Sequence, residues 1–410
     1  KLRQIITLLI LVFVFFGCTP KQIVQLKLPE KKEKIADIKT KKVKPVVVDE
    51  PATILEKLTP IDIKESTGPQ EVIDVTPPMD KPLEESNVES NIESNVTLED
   101  LKIDEKKIKV KIAFIYPSSL VEKYAKSSLD TISGYFSYQK TDYDLTVIDC
   151  TNESYENINS AFSKVNQEGI TNIIALFTPS AVTSLDKLVP SGVKVYLPLI
   201  EKKDAVTDNT SLIFGSISYE QQIEKLSSYS AGNNAMFYQD TYIGNKLKKA
   251  YDSSVSDTKV RKEISKNENN FKNIVNDSRL NNSSLFLNTD IVKTSLILSQ
   301  LRAYDIYPKL IFSTQVNYDP MLMSLTQDND REKLVIANSI DTVNKELKDE
   351  IITFGGNIIY EWVDYSTLVG INYLYYGGNS SLIQTKIVNN QAVYNPKLYK
   401  STEVGFLEIK

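Results

Sequence analysis

The chain contains no histidine. That absence removes Ser–His and Cys–His nucleophilic catalysis and every metal site that relies on imidazole. Cysteine is nearly missing as well, with only Cys18 and Cys150 among 410 residues. Cys18 ends a signal-like N-terminal segment, so Cys150 has no partner and no intrachain disulfide is expected. Cys150 reads instead as a small buried hydrophobe at a strand end. Glycine is scarce, at 14 residues, and loops that approach a ligand closely often need it. No G-x-S-x-G, P-loop or G-x-G-x-x-G stretch occurs. The chain is therefore read as not an enzyme, with no cofactor and no metal. A net charge of −5 and no basic patch interleaved with aromatics argue against a nucleic-acid partner.

Residues 19–108 have no aromatic side chain, yet they hold nine of the 16 prolines. Such a segment cannot bury enough apolar surface to offset its ordering entropy, and a disordered linker is expected. Its charge is divided. Residues 21–44 carry nine lysines against three acids, and residues 49–105 carry sixteen acids against four lysines. The basic half can touch anionic lipid or serve as a solvated spacer. Glu85-Ser-Asn-Val, Glu89-Ser-Asn-Ile and Glu93-Ser-Asn-Val are tandem low-complexity tetrads. A coil of this length reaches roughly 50 Å.

Residues 1–18 read as a signal peptide. Lys1 and Arg3 precede a short apolar core over residues 4–16, too short to span a bilayer unaided. The stretch Phe15-Phe16-Gly17-Cys18 resembles the bacterial lipoprotein lipobox, although Phe15 and Phe16 stand where Leu and a small residue are usual. The resemblance implies a diacylated Cys18 as a membrane anchor, stable because two chains suffice where one is marginal. Thr19 in place of Asp resembles an outer-membrane sorting signal. The alternative is an uncleaved signal anchor.

From residue 109 onward the chain has the pattern of a folded α/β protein. Val110, Ile112, Phe114 and Tyr116 make a β-branched and aromatic strand, Pro117 stops it, and Ser118 or Ser119 can cap the next helix. The unit recurs. Further strands are read at 145–149, 172–177, 193–197 and 211–214, then at 234–238, 259–264, 284–288, 309–313 and 333–337, with helices between them. Gly169 is read as a helix C-cap and Asn389-Asn390 as a hairpin turn. Strands alternating with helices mean a parallel sheet covered on both faces. The expected organisation is α/β, with two doubly wound parallel-sheet lobes after the linker. Residues 109–218 and 341–380 are assigned to lobe one, and residues 219–340 and 381–410 to lobe two.

Two such lobes joined by several crossovers resemble the type I periplasmic-binding-protein fold, in its branched-chain amino-acid-binding branch. The resemblance covers about residues 109–410. It is carried by Ala235 to Leu247 with Tyr242 and Gly244, by Phe177-Thr178-Pro179-Ser180, by Leu197-Pro198 and by Trp362-Val-Asp364-Tyr365. The chain is also similar to the outer-membrane lipoproteins that activate penicillin-binding proteins, with the linker standing in place of their helical-repeat first domain.

In open α/β sheets ligands lie at the carboxyl ends of the strands. The candidate ligand-binding residues are therefore Tyr116, Ser118, Ser119, Thr178, Ser180, Glu201, Tyr238, Asp240, Tyr242, Asn288, Thr289, Asp290 and Trp362. Hydroxyls and N–H groups at helix starts suit a carboxylate, the acids suit an ammonium and the aromatic rings can wall the ligand. The ordinary alternative for each Ser, Thr or Asp is a helix N-cap. Two functions fit. One is a lipid-anchored, periplasm-facing regulatory module of the outer membrane, a non-catalytic activator of cell-wall synthesis with an envelope protein partner such as a cell-wall synthase. The other is a solute-binding receptor that presents amino acids or short peptides to an ABC importer.

Overall fold

The structure, a computed structural model, describes residues 109–409. The signal peptide, Cys18 and the linker over residues 19–108 lie outside the described residues. Among the described residues no helix is long and apolar enough to cross a membrane.

The first series of elements is β1 (Val110–Tyr116), α1 (Ser118–Gln139), β2 (Tyr143–Asp149), α2 (Tyr155–Gln167), β3 (Asn172–Ala175), α3 (Val182–Leu188), β4 (Lys194–Leu197) and β5 (Leu212–Phe214). The second is α4 (Tyr219–Ser227), β6 (Asn234–Gln239), α5 (Tyr242–Ser254), β7 (Thr258–Ile264), β8 (Ser284–Asn288), α6 (Ile291–Ala303), β9 (Leu310–Ser313) and β10 (Leu334–Asn338). Then come α7 (Lys345–Phe354), α8 (Trp362–Tyr376), β11 (Lys386–Val388), β12 (Gln391–Val393), β13 (Lys397–Ser401) and β14 (Phe406–Ile409).

These strands form two seven-stranded sheets, ordered β11-β12-β5-β4-β3-β1-β2 and β14-β13-β10-β9-β8-β6-β7. Each sheet is parallel through its middle and gains antiparallel strands at one edge. This is the two-lobed type I periplasmic-binding-protein-like architecture. The chain passes between the sheets three times, after β5, after β10 and after β12.

The alternation seen in β1 explains the double winding. Ile112 and Phe114 enter one core with α1 and α8, whereas Ala113 and Ile115 enter another with α2 and α3. In lobe two Ala235 and Phe237 face one core while Met236 and Tyr238 face the other. A strand buried on both faces needs apolar residues at nearly every position, as these have.

The two lobes do not divide where residue order suggests. The hairpin β11–β12 joins β5 through the pair Gln391 with Phe214 and belongs to sheet one, so the assignment of residues 381–393 to lobe two is corrected. Only β13 and β14 extend sheet two, along β10. The turn itself is as expected. Asn389 and Asn390 sit at φ 50° and 63°, the left-handed pair that a tight hairpin of native twist requires. Asn390 also donates from Nδ2 to the Thr210 and Leu212 carbonyls at 2.8 and 3.0 Å, and this seats the hairpin on β5.

Close backbone approach fixes α8 on sheet one. A Cβ on Gly370 would lie 2.2 Å from the Tyr196 ring. The Tyr196 hydroxyl pairs with Ser366 Oγ at 3.2 Å one helical turn earlier. Asp364, fully buried on the same helix, accepts the Asn357 N–H at 2.8 Å. Burial raises its pKa to about 6 against those hydrogen bonds.

Candidate functional site

Helix starts in lobe one offer N–H groups and hydroxyls where a carboxylate could sit. In both instances a carboxylate of this chain already sits there. The α1 N-terminus comes after Pro117, and neither Ser118 nor Ser119 caps it through its side chain, contrary to expectation. Asp149, at the end of β2, accepts the Ser118 N–H at 3.1 Å and the Thr151 N–H at 2.7 Å. Burial would raise the Asp149 pKa, but these hydrogen bonds outweigh it and hold the carboxyl below its ordinary value. Ser119 donates its N–H to the Thr151 carbonyl at 2.9 Å.

The second instance is more complete. Glu153, in the turn between β2 and α2, accepts the Thr178 N–H at 2.6 Å and the Thr178 hydroxyl at 2.6 Å. It also accepts the Ser180 hydroxyl. The donors of the Thr178–Ser180 turn are thus taken up by a carboxylate of this chain.

Facing loops of lobe two differ. A cavity of about 360 Å³ opens between the lobes, lined on one side by Lys123 and Tyr124 of α1 and on the other by Gln239, Asn288, Asp290 and Gln315. Tyr360, Glu361 and Trp362 also line it. Asn288 is 1% exposed, and neither its Oδ1 nor its Nδ2 has a hydrogen-bond partner among the described residues. The reason is topological. Asn288 ends β8 at the middle of the sheet, where neighbouring strands end too. Gln315 Nε2 is also unpartnered, because Gln315 spends its other atoms on a buried lattice. Its N–H donates to Gln222 Oε1 at 2.9 Å, and its Oε1 accepts from Gln222 Nε2 at 3.2 Å and the Ser339 N–H at 2.9 Å. Leaving a buried amide unsatisfied costs about 1–3 kcal/mol, and both of these groups belong to residues that line the same cavity.

A second cavity, about 620 Å³, lies at the rim and is lined by Glu201, Lys203, Asp204, Glu220, Tyr242 and Lys246 among others. Here the lobes are tied by charge. Lys246 of α5 pairs with Asp204 at 2.9 Å, and Lys203 bridges Glu201 at 3.2 Å and Glu220 of α4 at 2.6 Å. Such half-exposed pairs are each worth about 0.2–1 kcal/mol.

The thirteen residues singled out in the sequence therefore separate. Asn288, Thr289, Asp290 and Trp362 line the first cavity, and Glu201 and Tyr242 line the second. Tyr116, Ser118, Ser119, Thr178, Ser180, Tyr238 and Asp240 line neither. Tyr238 is buried and donates its hydroxyl to Glu263 at 2.5 Å, a bond that pushes its pKa up to about 12. Asp240 accepts from Asn245 Nδ2 at 3.3 Å. Thr289 is buried and shares a hydroxyl bond with Thr294 at 2.7 Å. Asp290 caps α6 through the Lys293 N–H at 2.9 Å. Sequence reading missed Gln315 and Glu361. The run Tyr360-Glu361-Trp362, an acid between two aromatics at a helix start, was the one local signal for the latter. Cys150 is buried and free, its thiol pushed up to about 12 by burial and by Asp149, which makes it unreactive.

No family model matches the sequence, and no curated relative matches it significantly. Solved structures do match in fold. A protein assigned to a branched-chain amino acid ABC transporter of Rhodospirillum rubrum aligns over 74% of this chain and 100% of its own, with a TM-score of 0.57 and 11% identity. The branched-chain amino acid transporter substrate binding protein LivJ of Streptococcus pneumoniae, in complex with isoleucine, aligns over 74% and 99%, with a TM-score of 0.53 and 12% identity. The C-domain of LpoA from Haemophilus influenzae, a regulator of PBP1A, aligns over 73% and 100%, with a TM-score of 0.50 and 13% identity. At these identities the likeness shows the type I periplasmic-binding-protein-like fold.

Proposed function

We propose that this chain is a non-catalytic regulatory binding module of the cell envelope. In this reading a lipidated Cys18 anchors it, facing the periplasm, at the outer membrane, and it acts on a protein partner such as a cell-wall synthase. The fold shared with the LpoA C-domain supports this reading. The observation that carries it is the turn at Thr178 and Ser180, whose donors, suited to a carboxylate, are already taken by Glu153. A ligand carrying that group would have to displace an internal one that is held at no cost in translational entropy.

The test is a thermal-unfolding scan of the purified protein against free amino acids and short peptides. A ligand that binds only the native state raises the midpoint by mass action. The expected outcome is no shift, and a clear saturable rise with any free amino acid would sink the proposal. For the anchor, Cys18→Ala should release the protein from the membrane fraction; retention at unchanged size would refute lipidation.

A second reading, a receptor feeding amino acids or short peptides to an ABC importer, draws on the cavity beside Asn288 and on the fold of LivJ. The same scan separates the two.

A further inference from the structure

The inter-lobe cavity is acidic and its acids are poorly matched. Glu361 lies between Tyr360 and Trp362 at the start of α8, and its carboxylate accepts no hydrogen bond and makes no ion pair among the described residues. Asp319 and Asp290 line the same cavity. Each gives one oxygen to a backbone N–H, of Met321 at 2.7 Å and of Lys293 at 2.9 Å, and its second oxygen has no hydrogen bond among the described residues. The single cation among the described lining residues is Lys123, which is exposed and rests over the Tyr124 ring at 4.4 Å. Beside these carboxylates lies the unpartnered amide of Asn288, 1% exposed.

The geometry points to a small organic cation as the ligand of this cavity: a primary aliphatic amine bearing a neutral polar group and no carboxylate. Its ammonium is matched by Glu361 and Asp319, and its neutral polar group by the amide of Asn288. The lack of a carboxylate follows from the acidic lining of this cavity, and the assignment deepens the reading that the module takes no free amino acid.

Three features select this class. An ammonium group supplies donors to Glu361 and to the second oxygen of Asp319, and the aromatic rings of Tyr360 and Trp362 line the same cavity, where a ring face favours a cation. The Glu361 pKa is raised by burial and then by Asp319, with Lys123 opposing the rise, so a bound cation adds to a compensation that Lys123 alone leaves incomplete. Among the described residues no group of three or more His, Cys, Asp or Glu side chains is placed to hold a metal ion, which favours an organic cation over a metal ion. The volume, about 360 Å³, suits a small molecule.

The test is calorimetric titration of the full chain with leucinamide, putrescine and ethanolamine, beside free leucine and isocaproate. Leucinamide or another of the amines should bind saturably and more tightly than leucine, and isocaproate should not bind. Glu361→Gln should weaken that binding about tenfold or more while leaving the unfolding midpoint unchanged or raised, because the native carboxylate makes no ion pair to lose. A merely structural Glu361 would lower the midpoint and spare affinity. Absence of saturable binding by all three amines overturns the assignment, and so does equal affinity in Glu361→Gln. Either result with leucine also silent leaves the regulatory reading standing. Tighter binding of leucine than of leucinamide overturns both.

Discussion

Removal of Glu153 tests the central structural claim directly. Its carboxylate receives one backbone N–H and two hydroxyl donors from the Thr178–Ser180 turn. Hydrogen bonds to a charged group contribute about 1.5–3 kcal/mol when buried. Glu153 is half-buried and Ser180 is exposed, so water replaces much of what Glu153→Ala removes. A net loss of about 1–2 kcal/mol is expected. For a folded part of this size that lowers the midpoint by roughly 1.5–3 °C. Glu153→Gln keeps an acceptor for the Thr178 N–H and should lose less. The diagnostic step is rescue. The emptied seat should take an added carboxylate, so acetate should raise the midpoint of Glu153→Ala by more than it raises wild type, with chloride as the ionic-strength control. Differential scanning fluorimetry across an acetate series measures this. An unchanged midpoint in Glu153→Ala, or an acetate response equal to wild type, would refute the claim that the seat is a filled carboxylate site.

Other consequences are independent of that seat. Gly370→Ala places a Cβ 2.2 Å from the Tyr196 ring, and overpacking of this kind costs about 1–3 kcal/mol in denaturant titrations; Gly378→Ala, with open space around it, is the neutral control. Asp364 has a folded pKa raised to about 6 by burial, above its unfolded value of 3.8. The folded state therefore holds a proton that the unfolded state has released. Its contribution is fully present below about pH 4 and is lost as pH rises towards about 6. Asp364→Asn should flatten the stability slope across that window, and an unchanged slope would show that another group titrates there. Asn390→Val puts a β-branched residue at φ 63° and removes two side-chain bonds to the strand-five segment. A loss of about 2 kcal/mol or more is expected from the left-handed strain and the lost bonds together, with faster hydrogen exchange at Phe214, whose N–H donates to the Asn390 carbonyl at 2.8 Å. Lys246→Ala removes the rim pair with Asp204 and should cost no more than about 1 kcal/mol, with a salt dependence weaker than that of wild type.

Much of the architecture was open to sequence reading because it depends on local pattern. The strand over Ser284–Asn288 falls where its apolar run and boundary residues place it. Asn389-Asn390 announces its turn because few other residues accept the left-handed region at both positions. Gly169, at φ 66°, ends its helix for the same reason. The candidate site was half legible. Asn288 and Asp290 lie at strand ends, and in a doubly wound sheet the strand ends line the cleft.

The occupant of each helix start, by contrast, was hidden from sequence reading. Glu153 and Thr178 are 25 residues apart, and nothing in either neighbourhood announces the other, since an N-cap and a ligand seat use the same residue types. Equally hidden was the return of β11–β12 to sheet one while β13–β14 stays with sheet two, because a strand's hydrophobic pattern specifies a buried face and leaves the identity of the neighbour open. By itself the sequence determined most of the elements, their order and the two-lobed α/β class, since these depend on side-chain periodicity and backbone dihedral preference, but β13 and β14 went unread. Only the tertiary structure decided that the carboxylate seats of lobe one are filled by Asp149 and Glu153 while the amide of Asn288 in lobe two has no partner among the described residues. Those facts depend on which chain segments meet in space.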